Sequence, residues 1–340
     1  MTTLVTGGTG LVGINLVRAL AENGEIVRIL VRPSSLLVGL DLPGIESATG
    51  DVTDLESVRR AMTGCTRVYH AAAWVSMSPW RTDLARAVNV GGTANVCRAA
   101  LETRVERLVH VSSIAAVGHG PIDQPADENT PWNFAAMRSP YYATKHDAET
   151  IVRQHVDRGL DAVIVNPAYI IGPWDVRPGS GRSIILCATK RLHGCPARGG
   201  TSVVDVREVV AGMRAAMDRG RRGERYILAG ENMTCREFLT RVARIAGVEP
   251  PRRAIPFGLI YLPAIIATGI HGLNPRWCPD FNLGTLRAAY CDHYVTARKA
   301  RQELKLQSLP IEHAIADTLQ WFENHGYLTR TPNGWRSSRP

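Results

Sequence analysis

Short apolar runs recur through the first half of the chain at 3–5, 26–31, 67–70, 108–111 and 162–165, and Gly50-Asp51 closes another. Their length and β-branched content predict strands. Between them apolar residues repeat at helical spacing over 14–21, 54–61, 84–103 and from Tyr141 to about 158. Asn23-Gly24 supplies a left-handed stop to the first of these helices. Strand and helix in strict alternation predict the α/β class, with a doubly wound parallel sheet. The rhythm breaks after Asn166-Pro167. Residues 1–167 are therefore expected to form a dinucleotide-binding domain, with return segments near 203–230. Residues 168–202 and 231–328 are expected to form a smaller, irregular substrate domain with helices at 235–246, 295–304 and 311–324. Residues 329–340 read as a flexible tail.

The first strand runs into Thr6-Gly7-Gly8-Thr9-Gly10-Leu11-Val12-Gly13 and then a helix. Gly7, Gly10 and Gly13 permit a sharp turn, a close approach to a pyrophosphate and tight helix–strand packing. Open N–H groups at the helix start face phosphate charge. Gly7, Thr9, Gly10, Leu11, Val12 and Gly13 are the expected dinucleotide contacts.

Composition changes this picture little. The 340 residues carry a formal net charge of +9. Arginines are spread along the chain, with one cluster at Arg219, Arg221, Arg222 and Arg225 that reads as a solvated loop and not as a nucleic-acid patch. Seven scattered cysteines without a CxxC pair indicate reduced thiols, with no metal site expected. No basic-then-apolar leader opens the chain, so a cytoplasmic location is expected. Residues 254–270 carry no charge but contain Pro256 and Pro263. They are too short and broken for an integral membrane segment and predict a buried helix or a cover over an apolar substrate, with shallow membrane-surface contact as the alternative.

Tyr141 and Lys145 stand four apart at a helix start and share a face. An ammonium one turn away favours a phenolate, lowering a hydroxyl that ordinarily titrates near pH 10. The product is a proton donor or acceptor for a carbonyl or alcohol. Ser112 and Ser113 follow the fifth strand, at a strand end where open α/β sheets bind ligands. Either serine could hold the reacting oxygen; Ser113 is favoured.

Together these residues resemble the extended short-chain dehydrogenase/reductase (NAD-dependent epimerase/dehydratase) family. TGxxGxxG matches Thr6 to Gly13 and YxxxK matches Tyr141 to Lys145. The resemblance implies cofactor contacts at Asp51 and Val52, at Ala71, Ala72 and Ala73, at Tyr141 and Lys145, and at Pro167. It also matches Asn89-Val90-Gly91-Gly92-Thr93 to a helix motif beneath the sheet, and it implies a homodimer paired through the helices carrying Asn89 and Tyr141. The closer similarity is to the branch of dihydroflavonol reductases, hydroxysteroid dehydrogenases and hopanoid-associated sugar epimerases. Asp205-Val206-Arg207-Glu208 departs from the family's usual acidic pair after His-Val.

Family members that prefer NAD(H) carry an acid at the end of strand two. Here Val31 and Arg32 stand there, and a guanidinium suits a 2′-phosphate, so NADP(H) is favoured over NAD(H). The expected reaction is hydride transfer between nicotinamide and a secondary alcohol or carbonyl, with Ser113, Tyr141 and Lys145 catalytic. Trp74, Ser113, Ile114 and Tyr169 are expected to meet the substrate. The alternatives are a nucleotide-sugar epimerase, with Arg177, Arg182, Lys190 and Arg191 meeting a diphosphate, and a non-catalytic cofactor-sensing protein.

Overall fold

The computed structural model describes residues 1–274, 281–332 and 334–338. The first half alternates as the apolar pattern dictates. β1 (Thr2–Thr6) leads to α1 (Leu11–Glu22), β2 (Ile26–Val31), β3 (Ile45–Thr49), α2 (Leu55–Met62) and β4 (Cys65–His70). Then come α3 (Thr82–Ala85), α4 (Gly92–Thr103), β5 (Arg107–Val111), α5 (Pro140–Asp157) and β6 (Ala162–Pro167). The second half is less regular. It contains β7 (Tyr169–Ile171), α6 (Gly181–Ala188), β8 (Cys195–Pro196), β9 (Gly200–Asp205), α7 (Val206–Arg219), β10 (Arg225–Leu228) and β11 (Glu231–Thr234). After these come α8 (Cys235–Ala246), β12 (Ala254–Ile255), α9 (Phe257–Leu273), α10 (Leu283–Ala289), β13 (Asp292–His293), α11 (Arg298–Glu303), α12 (Ile311–Asn324), β14 (Leu328–Thr331) and β15 (Gly334–Ser337).

Seven strands form one parallel sheet in the order β10-β6-β5-β4-β1-β2-β3. Successive side chains on a strand point to opposite faces, and β1 shows the consequence. Val5 packs into the apolar layer with Ile14, Val17 and Met213 from α1 and α7. Leu4 packs into the opposite layer with Val58, Met62 and Val96 from α2 and α4. Strand order reverses between β1 and β4, and that reversal opens the crevice in which such sheets bind ligands. β9 lies outside this sheet and pairs with β7, β11 and β13 in a second one. Asp205 caps α7 by accepting from the Arg207 N–H, and Arg207 also pairs with Asp317 of α12 at 2.9 Å. The unusual Asp-Val-Arg-Glu stretch thus ties the two lobes together.

Several elements differ from the sequence expectation. The helix expected over 84–103 is interrupted by a π-helical turn at Arg86–Gly91. Most of the 254–270 stretch lies in a helix, α9 (Phe257–Leu273), after the short strand β12, but that helix is not buried: only Ala264 and Ala267 are. The tail expected to be flexible is instead an antiparallel hairpin of β14 and β15. The Trp335 indole holds it down, donating to the Ala246 carbonyl at 2.8 Å. Residues 333, 339 and 340 of that tail, and Cys278, lie outside the described residues. The arginine cluster at 219–225 is partly absorbed by acids: Arg221 pairs with Glu303 and Arg225 with Glu149.

Two glycines are fixed by geometry. Gly7 has φ +74°, and a Cβ there would sit 2.5 Å from the backbone of Ala71 and Ala72. A Cβ on Gly13 would sit 2.1 Å from the Gly7 carbonyl oxygen. Backbone cannot yield as a flexible side chain does, so Gly13→Ala should cost about 1–3 kcal/mol and lower the thermal midpoint by several degrees. Gly269→Ala, with open space around it, should leave the midpoint unchanged or raise it. Equal midpoints for Gly13→Ala and the parent would refute the packing argument.

Candidate functional site

The carboxyl ends of β1, β4, β5 and β6 carry most of the residues that the sequence singles out. At the end of β1 the chain turns through Gly7, whose carbonyl accepts the Gly10 N–H at 3.1 Å. Gly10 caps α1 without any side chain over the helix end. The first bond into α1 runs from the Ile14 N–H to Gly10, which leaves the N–H groups of Leu11, Val12 and Gly13 without helical partners. A half-exposed cradle of this kind, at the positive end of a helix, fits a pyrophosphate.

The rest of the expected cofactor contacts border that cradle. Asp51 accepts from the Thr53 N–H at 2.9 Å and hydroxyl at 2.8 Å, which fixes the turn after β3. The Val52 carbonyl accepts from Asn95 at 2.9 Å, and the Val52 side chain crowds Gly92. Ala71 and Ala72 donate to the Thr6 carbonyl and hydroxyl. Val31 is buried at the end of β2, whereas the Arg32 guanidinium is exposed and makes no ion pair among the described residues.

A buried polar chain connects the glycine turn to α5. The Thr6 hydroxyl lies 2.7 Å from His70 Nδ1, and His70 Nε2 lies 3.0 Å from the Thr93 hydroxyl. Thr93 donates to the Asn89 carbonyl at 2.6 Å. The Asn89 side chain accepts from the Trp74 N–H at 2.7 Å and donates to the Trp74 carbonyl at 3.0 Å and the Thr144 hydroxyl at 2.9 Å. Asn89 sits in the π-helical turn, which swings its side chain into this junction. Burial pushes the His70 imidazole down to about 3, so it is neutral.

Lys145 is buried on α5 and donates to the Val111 carbonyl at 2.9 Å. Burial lowers its ammonium to about 8, with the Glu149 charge opposing that shift. The spacing argument predicts a lowered Tyr141 phenol; in the structure the phenol is raised, because burial outweighs the help it receives from the Ser113 hydroxyl. Ser113 Oγ accepts the Ala115 N–H at 3.2 Å and so caps a short turn. Ser112 Oγ is buried without a partner among the described residues. Behind Tyr141, Tyr142 packs against Phe134, with ring centroids 4.6 Å apart, and Phe134 packs against His293.

The expected substrate residues divide. Trp74 has its backbone locked by Asn89 and its indole N–H buried without a partner among the described residues. Ile114 is buried beside Ser113, and its carbonyl faces His293 Nε2 at 3.2 Å. Tyr169 has its hydroxyl consumed within the second lobe, donating to the Ser180 carbonyl at 2.9 Å with Ser183 3.1 Å away. Pro167 ends β6, and the adjacent Asn166 donates to the Ser113 carbonyl at 2.9 Å and to Glu149. Sequence reasoning missed Thr144, Glu149 and His293. Only Glu149 had a visible signal, an acid one turn beyond Lys145.

A glycine cradle at the switch point, with a Tyr and a Lys on the helix after β5, defines a dinucleotide-dependent oxidoreductase. The family model of the NAD dependent epimerase/dehydratase family matches residues 3–229. The chain belongs to that family and is an enzyme of the NAD-dependent oxidoreductase/epimerase kind. It is 38% identical over 332 residues to the sterol demethylase protein B of Methylococcus capsulatus, covering 96% of this chain and 100% of that one. It is 37% identical to a putative dihydroflavonol 4-reductase of Synechocystis sp., covering 95% of each. A nucleoside-diphosphate-sugar epimerase from Pseudomonas aeruginosa superimposes with a TM-score of 0.80 at 25% identity, covering 96% of this chain and 99% of that one.

Asn89→Ala would leave the Trp74 N–H and carbonyl without their side-chain partner, while the Thr144 hydroxyl keeps its bond to the Pro140 carbonyl. A stability loss of about 2–3 kcal/mol is expected in denaturant unfolding. A loss below about 0.5 kcal/mol, the range of surface substitutions, would show that the junction does not depend on this side chain.

Proposed function

We propose that this enzyme is a carbonyl reductase/dehydrogenase that interconverts an apolar ketone and its secondary alcohol. Tyr141 exchanges the proton with the substrate oxygen, Ser113 holds that oxygen, and Lys145 supplies the nearby positive charge. The observation that carries this reading is the buried Lys145, one helical turn from Tyr141 and anchored on the carbonyl of Val111, two residues before Ser113. An ammonium has three donors; with one spent on Val111, two are left for the ribose of a bound dinucleotide. That cofactor, when bound, supplies or takes the hydride at the carbonyl carbon. The glycine cradle, Asp51, Val52, Ala71 to Ala73 and Pro167 would hold it. A homodimer through the helices bearing Asn89 and Tyr141 belongs to the same reading.

The apolar substrate follows from the loop after β4. Trp74 and Met77 are half-buried there, and Met77 packs beside Tyr141 in the aromatic cluster. The Synechocystis relative, by its name a reductase, supports the same direction. One observation favours the epimerase reading: a cleft of about 220 Å³ is lined by Arg182 and Arg191, which would suit a diphosphate. It is also lined by Val176, Ile185, Leu186 and Tyr327, so more of its surface is apolar than polar.

Tyr141→Phe should lower kcat in ketone reduction about a hundred- to ten-thousand-fold, the usual share of a positioned acid, while cofactor affinity is unchanged. Retained kcat would remove Tyr141 from the proton's path.

The exposed Arg32 makes NADP(H) the proposed cofactor. A charge-assisted contact to a 2′-phosphate is worth roughly 1.5–3 kcal/mol, so KM for NADP(H) should be at least about tenfold below that for NAD(H). Arg32→Ala should abolish the difference. A tenfold preference for NAD(H) in the parent enzyme would overturn the assignment.

A further inference from the structure

α9 is apolar on every side yet lies at the surface. A helix of that composition is ordinarily buried. On its inner side Ala264 packs with Leu286 and Tyr290, and Ala267 is buried. Its outer side repeats at helical spacing: Leu259 is 74% exposed, Leu262 63%, Ile266 56% and Leu273 85%, with Ile265 between them. No charged residue interrupts the 17 residues. Trp80 extends the same face. Its indole donates to the Thr268 carbonyl at 2.9 Å and its ring lies against Gly272, while the residue as a whole stays 59% exposed.

An apolar face this continuous on a soluble lobe marks an interaction surface. Charge selects the partner. Arg252 and Arg253 are exposed just before α9, and Arg81 is exposed beside Trp80. Arg252 reaches only the exposed Glu249, and Arg253 and Arg81 make no ion pair among the described residues. The chain as a whole carries +9. Two copies gain nothing electrostatically by meeting at this face, whereas an anionic bilayer surface attracts it. At about 25 Å the helix is shorter than a hydrocarbon core of about 30 Å, and no described helix is long and apolar enough to cross a membrane. Tryptophan at the edge of an apolar face flanked by arginines is the pattern of a helix lying in the bilayer interface.

We propose that α9, with Trp80, docks this enzyme onto the surface of an anionic phospholipid membrane, its outer face sunk among the acyl chains and its arginines among the headgroups. The probe is flotation with vesicles of phosphatidylglycerol and phosphatidylcholine in equal parts, and with phosphatidylcholine alone. The chain should float with the first and markedly less with the second. Leu259→Gln, Leu262→Gln and Ile266→Gln combined should lower the bound fraction about tenfold or more, and Arg253→Glu should lower the preference for the anionic vesicles. The three leucine and isoleucine positions are exposed, so the thermal unfolding transition should persist; if the triple variant loses it, Leu262→Glu alone repeats the test. The proposal fails if the parent chain floats with neither vesicle, or if the variants float as the parent does. It fails equally if the parent sediments as a dimer that the triple variant breaks while neither meets lipid, which would make the face an interface between copies.

Discussion

The geometry of the site depends on one neutral imidazole. His70 ends β4 in full burial, and both of its nitrogens are engaged. The directions of its bonds are forced by its neighbours. The Ala72 N–H donates to the Thr6 hydroxyl, so Thr6 donates onward to Nδ1. Thr93 donates to the Asn89 carbonyl, so it accepts from Nε2–H. A charged imidazolium would present two donors and break the chain at Thr6. Burial removes that option by driving the ring far below its usual value near 6.5. The glycine turn, the β4 loop and α5 are therefore held in one register by a chain of groups none of which is charged.

The same junction explains which parts of the molecule were legible in the sequence. The glycine turn and the Tyr-Lys spacing are local patterns, set by φ, by Cβ clashes and by one helical turn. Gly7 and Gly13 show why: each excludes a side chain because of backbone within a few residues or across one strand pair. α8 and α12 were equally plain, with helical periodicity bounded by a capping box at Thr234 and by Pro310. The π-helical turn was not visible. Its cause lies in partners 15 and 55 residues away, Trp74 and Thr144, that claim the Asn89 amide. No window of sequence shows that demand.

Two misreadings have the same origin. The stretch at 254–270 reads first as a buried helix or a cover over an apolar substrate because its composition is that of a core helix, but composition cannot say which neighbour arrives to cover it. The tail reads as flexible because Thr-Pro-Asn-Gly has the composition of a loop; in the fold the Trp335 indole finds the carbonyl of Ala246, buried in the last turn of α8, and Arg330 lies over the Trp335 ring. In both cases the deciding partner is distant in sequence. Tyr169 is a gentler instance: its placement after β6 suggests a substrate contact, yet Ser180 and Ser183 complete its hydroxyl inside the second lobe.

Burial also sets the resting protonation of the site. It raises Tyr141 above its ordinary value and lowers Lys145 to about 8, because each charged form loses solvent. The two shifts move the groups apart, the phenol upward and the ammonium downward. Below about pH 8 the lysine keeps its proton, helped by the buried Glu149 one turn away, and the tyrosine is neutral. Glu149 in turn is held by Arg225 and by Asn166, whose amide also donates to the Ser113 carbonyl. In the proposed reaction the phenol is then the proton donor to a carbonyl, with the Lys145 ammonium one helical turn away to stabilise the phenolate once the proton leaves; in the reverse reaction the same phenolate must form first, against its burial.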